Sequence, residues 1–173
     1  MYRDVTNVAK SLCRLSAFLP SRRLVSLAGR LSESVCATMC SWCGNNPNDF
    51  KILIENDLTF WAACALVTMK AYLAFRRQGF DIRAIRYEDL VARPLEISER
   101  VMEALGLPAS FAENIHMCMQ EDSQKNTPVS RTSLVQFRAP NVTPEIQESL
   151  DRLAVNYGLQ PVSKECVLEG TLL

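Results

Sequence analysis

Apolar residues recur at helical spacing along most of this chain. Val5, Val8, Leu12 and Leu15 fall at i, i+3, i+7 and i+10, which predicts an amphipathic helix over 5–18, and Asp4 stands where an N-cap belongs. The same period, carried by Leu24, Leu27, Leu31 and Val35, predicts a second helix over 22–42. A third, over 57–78, reads as capped by Asp57 and ended by Gly79, with Leu58, Trp61, Ala62, Ala65, Met69 and Leu73 on one face. Further helices are predicted over 94–105, 110–120 and 144–157. The last is the best marked: Thr143 caps it, Pro144 takes the first position, Ile146, Leu150, Leu153 and Tyr157 form the stripe, and Gly158 stops it. Phe80-Asp81-Ile82-Arg83-Ala84-Ile85-Arg86 departs from this period. Introduced by Gly79, it predicts one strand over 81–87.

Two polar residues sit at informative places on this framework. Arg3 lies just outside the first helix and Ser11 two turns into it. The unpaired first-turn N–H groups of a helix favour an anion, a guanidinium adds bidentate donors, and a hydroxyl can donate from the flank. That combination can clamp a phosphate. Downstream, the strand runs into Tyr87-Glu88-Asp89-Leu90, then Pro94, then a helix that closes in Leu105-Gly106-Leu107-Pro108. Adjacent carboxylates at Glu88 and Asp89 invite an acid/base pair, but neighbours leaving a strand point apart, and these two are expected to turn the chain and meet nearby basic groups.

With these segments in view, the chain resembles the C-terminal part of a sulfotransferase of the family that uses 3′-phosphoadenosine 5′-phosphosulfate. That family places a Ser eight positions after an Arg in its 3′-phosphate-binding segment, as Arg3 and Ser11 do here, and follows it with a Tyr-Glu-Asp-Leu strand end and a helix closing in Leu-Gly-Leu-Pro. The resemblance implies an α/β fold: part of a P-loop-NTPase-like, doubly wound parallel sheet with flanking helices, helix-dominated here, with residues 1–173 as the C-terminal portion of a single domain. It also implies that Arg3 and Ser11 hold the 3′-phosphate of the co-substrate, that Tyr87 lies against the adenine, and that the acceptor is a small molecule or carbohydrate bearing a hydroxyl or amine. The segment from Gln120 to Arg131 occupies the place of the family's nucleotide-covering stretch, which makes Lys125, Ser130 and Arg131 further cofactor-binding candidates.

Departures from the family pattern are equally plain. The glycines fall at 29, 44, 79, 106, 158 and 170, none in a Lys-Ser-Gly-like context, so the loop that holds the 5′-phosphosulfate is expected upstream of Met1, together with the general base. No catalytic residue is assigned within this chain. His116, the sole histidine, reads as a helix residue beside Met117 and Met119. Two alternatives stay open: a catalytically inactive nucleotide-binding or interaction module, and a helical scaffold that takes no nucleotide. A chain lacking the front of such a sheet is expected to be poorly soluble by itself.

Composition narrows the picture further. At 173 residues and 48% hydrophobic the chain can form one core, and 19 basic against 19 acidic residues give no reason to expect nucleic acid as partner. Lys70 divides the apolar stretch from Leu58 to Phe75, leaving about a dozen unbroken residues against the roughly 20 of a spanning helix, so a buried helix is expected. Cys36, Cys40 and Cys43 lack a fourth ligand of zinc spacing, and no metal is assigned. Seven cysteines, an odd count, together with polar residues directly after Met1, point to a reducing, cytoplasmic compartment. The resembled family also contains Golgi enzymes anchored by an N-terminal helix. Asn141-Val142-Thr143 is formally a glycosylation sequon, but Pro144 follows it.

Overall fold

The computed structural model describes residues 1–16, 56–120 and 140–172. Among them are six helices: α1 (Val5–Ser16), α2 (Asp57–Arg77), α3 (Tyr87–Ala92), α4 (Pro94–Ala104), α5 (Phe111–Gln120) and α6 (Pro144–Asn156). Helix dominates the described residues. The helix expected over 22–42, the cysteine cluster within and just beyond it, and the candidates Lys125, Ser130 and Arg131 lie outside them.

Local chemistry sets the helix ends. The Asp4 carboxylate accepts from the Asn7 N–H at 2.8 Å while its carbonyl accepts from the Val8 N–H at 2.9 Å, so Asp4 caps α1 as the sequence predicts. Thr143 caps α6 through the Ile146 N–H, with Pro144 just inside. The cap of α2 is one residue earlier than predicted. Asn56, extended at φ −154°, accepts from the Thr59 N–H at 3.0 Å, and Asp57 contributes first-turn negative charge instead. Gly79 follows α2 at φ 90°, a left-handed conformation that favours glycine.

α2 is the centre of the core, packed by α1 and α6. Its buried residues are Leu58, Thr59, Ala62, Ala63, Leu66 and Met69, while Trp61, Ala65 and Leu73 from the predicted face are only half-buried. The buried surface is therefore broader than one stripe, because two helices cover it. In α1 the buried line is Val5, Ala9 and Cys13 at i, i+4 and i+8, and Val8 and Leu12 lie at its margin. Small side chains there let the α1 backbone approach α2 closely. Among the described residues α2 is the one helix long and apolar enough to cross a bilayer, but its buried residues belong to the α1/α6 packing.

The segment predicted as a strand over 81–87 forms an extended run with two isolated parallel bridges, and Tyr87 is already the first residue of α3. Tyr2 pairs with Arg86 on one side, its N–H donating to the Ile85 carbonyl and its carbonyl accepting from the Tyr87 N–H, both at 2.8 Å. On the other side Ala84 pairs with Thr171: the Ala84 N–H donates to the Gly170 carbonyl at 3.1 Å and the Leu172 N–H to the Ala84 carbonyl at 2.9 Å. Three extended pieces thus lie side by side and parallel, with the 84–87 stretch in the middle.

Candidate functional site

That three-ply arrangement places Arg3, directly after Tyr2, beside Tyr87, directly after Arg86. The Arg3 guanidinium sits over the Tyr87 ring at 4.4 Å from its centroid, a cation–π contact. Arg3 Nε is buried, and its N–H donates to no acceptor among the described residues. Its nearest carboxylate is Glu88, at 3.9 Å from Nε. Glu88 is shared, since its other oxygen lies 3.9 Å from Arg86 Nε and it accepts the Asp4 N–H at 3.1 Å.

Arg3 and Tyr87 line one cavity of about 420 Å³, within the range of sites for small organic ligands. The N-terminal segment supplies Met1 and Tyr2, and α1 supplies Val8. Ala65, Thr68, Met69 and Tyr72 form its α2 wall, on successive turns of one face. Arg83 and Ala84 come from the extended run and Leu168 from the C-terminal segment. Three tyrosine rings and an apolar floor suit a flat body, and no carboxylate is among the described residues that line the space.

Ser11 follows Val8 by one turn and is half-buried, and it is not among the residues lining the cavity. Of the six residues picked from the sequence, the structure brings Arg3 and Tyr87 together, sets Ser11 nearby on α1, and leaves the other three outside the described residues. Tyr2, Thr68, Tyr72, Arg83 and Leu168 were missed. Thr68 and Tyr72 carried a signal: both put polar tips on an otherwise apolar helix, four residues apart, off the most buried line.

The C-terminal segment is tied to this wall by several contacts. Tyr2 hydroxyl accepts the Leu168 N–H at 3.2 Å and bonds the Thr171 hydroxyl at 3.1 Å. Tyr72 hydroxyl donates to the Glu169 carbonyl at 2.8 Å. Burial pushes the Tyr72 hydroxyl's pKa up, only partly opposed by Arg76, so it remains a donor. A Cβ on Gly170 would stand 2.9 Å from that same hydroxyl, and Gly170 has φ 79°, so glycine is required twice over.

Glu88 and Asp89 meet basic groups, as read from the sequence. Asp89 lies 4.0 Å from Arg86 and 3.7 Å from Arg93, and Arg86 also pairs with Glu165. This network fixes the start of α3. Beside it a second space of only about 40 Å³, between Asp4, Arg86 and Cys166, has room for water alone. Burial pushes the Cys166 thiol up, which keeps it protonated and a poor nucleophile. No group of three or more His, Cys, Asp or Glu that could hold a metal occurs among the described residues.

Comparison with protein-family models, with curated proteins and with solved structures gave no match to this chain.

Proposed function

We propose that this chain is the donor-binding part of a sulfotransferase-like protein, and that the Arg3/Tyr87 cavity takes the adenosine 3′-phosphate end of 3′-phosphoadenosine 5′-phosphosulfate. The observation that carries the reading is the guanidinium of Arg3 over the Tyr87 ring at the wall of a cavity that no carboxylate lines among the described residues. A phosphate needs charge-assisted donors and an adenine needs an aromatic face, and this pair offers both within one hollow. On this reading the two isolated parallel bridges, Tyr2 with Arg86 and Ala84 with Thr171, belong to the beginning of a parallel sheet of the kind at whose strand ends nucleotides bind.

In such a reaction the bond between sulfur and the bridging phosphate oxygen breaks, a new bond forms from sulfur to an acceptor hydroxyl or amine, and the acceptor proton leaves to a base. Catalysis by positioning and charge stabilisation requires the donor to be held rigidly. Holding it is the part assigned to Arg3, Tyr87 and, from the flank, Ser11. Lys125, Ser130 and Arg131 remain proposed contacts to the same nucleotide, and the acceptor is a small molecule or carbohydrate.

Calorimetry with 3′-phosphoadenosine 5′-phosphate tests the reading. Binding is expected, with Arg3→Ala weakening it at least tenfold, about 1.4 kcal/mol, Tyr87→Ala several-fold and Ser11→Ala measurably. Absence of binding, or binding indifferent to Arg3→Ala and Tyr87→Ala, overturns it.

A scaffold reading draws on a different observation, the apolar surface at the end of α4 and on α5, where Leu105 is 64% and Met117 59% exposed. Sedimentation of the chain with and without Leu105→Ser and Met117→Ser distinguishes this reading, which expects self-association or partner capture to disappear.

A further inference from the structure

Arg83 is a cavity residue that the nucleotide reading does not use. It lines the same 420 Å³ space as Arg3, from the extended run rather than from the N-terminal segment. Among the described residues those two are the cationic side chains of the lining, and no acidic side chain lines it to offset them. The carboxylates that accompany them stand outside the cavity. Asp81 meets Arg83 at 3.2 Å from Nε and 3.4 Å from Nη2, but Asp81 is 74% exposed and Arg83 51%. An ion pair this wet contributes little, so the guanidinium can exchange it for a ligand anion at small cost. On Arg3 the competing carboxylate, Glu88, is already engaged by Arg86 and by the Asp4 N–H.

Two arginines at the rim of a largely apolar cavity act on total ligand charge once Arg83 turns from Asp81 to the ligand. A phosphomonoester carries close to two negative charges at neutral pH and a phosphodiester or sulfate ester carries one. Each charge on the ligand is attracted by both arginines, and screening is weaker inside a partly closed cavity than on an open surface.

We propose that Arg83 is a specificity-determining residue which, with Arg3, makes the cavity select a phosphomonoester dianion over a monoanion of the same size. This rests on the nucleotide reading above and adds to it a second charged contact and a charge rule. Tyr72 shares the wall with Arg83 and bonds the Glu169 carbonyl, which keeps that side of the cavity fixed while the arginine turns from Asp81 to the ligand.

The experiment measures the affinity of the full chain for adenosine 3′-monophosphate, a dianion, and for adenosine 3′,5′-cyclic monophosphate, a monoanion, by calorimetry at neutral pH and fixed salt. The unmodified chain is expected to prefer the dianion by about tenfold. Arg83→Ala should cut that preference to about twofold or less, chiefly by weakening the dianion, and Arg83→Lys should restore part of it. Asp81, which Arg76 also meets at 3.3 Å, is a weak competitor, so Asp81→Asn should tighten the dianion by no more than about twofold. If Arg3→Ala weakens binding while Arg83→Ala leaves both affinities within twofold, Arg83 has no such role and the nucleotide reading stands. If neither nucleotide binds, or Arg3→Ala is also without effect, both fall together.

Discussion

α6 of the α1/α2/α6 core and the helices of the α4/α5 pair are amphipathic to similar degrees in sequence, but the two regions meet different ends. In the first region Leu58, Leu66, Leu150 and Leu153 are at most 1% exposed, and partly buried side chains from the C-terminal segment complete the packing. In the second, Ile97, Met102 and Ala112 are buried, while Leu95, Leu105, Leu107 and Phe111 stay largely in water. Helical periodicity therefore specifies that a helix forms and which side is apolar, but not how much of that side finds a partner. Burial, the larger contribution to stability, is concentrated in one region, and the cavity is built on that region and not on the other.

The contrast is sharpest in truncations of core side chains. Leu150→Ala, at a fully buried position of α6, is expected to cost about 2–5 kcal/mol and to lower the urea midpoint as seen by every probe at once. Ile97→Ala, equally buried but in the smaller cluster between α4 and α5, should fall near the lower end, about 2 kcal/mol. It should also raise hydrogen exchange in α4 and α5 while sparing α1, α2 and α6. Equal acceleration in all helices would erase the distinction between the two regions.

Smaller effects refine it. Asn56→Ala removes the α2 cap and should cost about 1 kcal/mol, reported by the core probes. Leu105→Ser, on the exposed α4 end, should change stability by no more than about 0.5 kcal/mol.

Asp151 supplies a pH test confined to the core side. Burial pushes its carboxyl up, but hydrogen bonds from the Ser163 hydroxyl and N–H at 2.6 and 2.8 Å, with help from Gln147, outweigh that and leave it below its usual range. A carboxylate depressed in the folded state contributes stability that is complete above its unfolded pKa of about 3.9 and disappears as the pH falls through the lower folded value. Asp151→Asn should therefore flatten the stability curve below about pH 4, read as the thermal midpoint against pH, with α6 and the 161–163 turn loosened together.

The parts of this molecule written in short stretches of sequence were legible there. Asp4, Thr143, Gly79 and Gly158 act within a turn of their own positions, so their roles follow from residue type. Arg3 and Tyr87 are separated by a long stretch of chain, and only the resemblance put them near one ligand. Their contact depends on the Tyr2–Arg86 bridge, which no local pattern encodes. Tyr87 opening a helix was missed because Phe80 to Arg86 alternates too weakly to mark where extension stops. Cavity residues from the C-terminal segment were invisible for the same reason: Cys166 to Leu172 has neither helical nor alternating period, and its conformation is imposed by Tyr2, Tyr72 and Ala84. Charge pairing around Glu88 could be foreseen in kind, since acids among so many arginines must find cations, but not in geometry.

The middle position of the 84–87 stretch has a consequence for how the protein is made. On the ribosome its first edge can close as soon as it meets Tyr2, whereas the edge that Thr171 covers stays open until α6 and the residues beyond it have been synthesised. For that interval Ala84 offers an N–H and a carbonyl to any passing strand, so nascent chains are open to mispairing at this point.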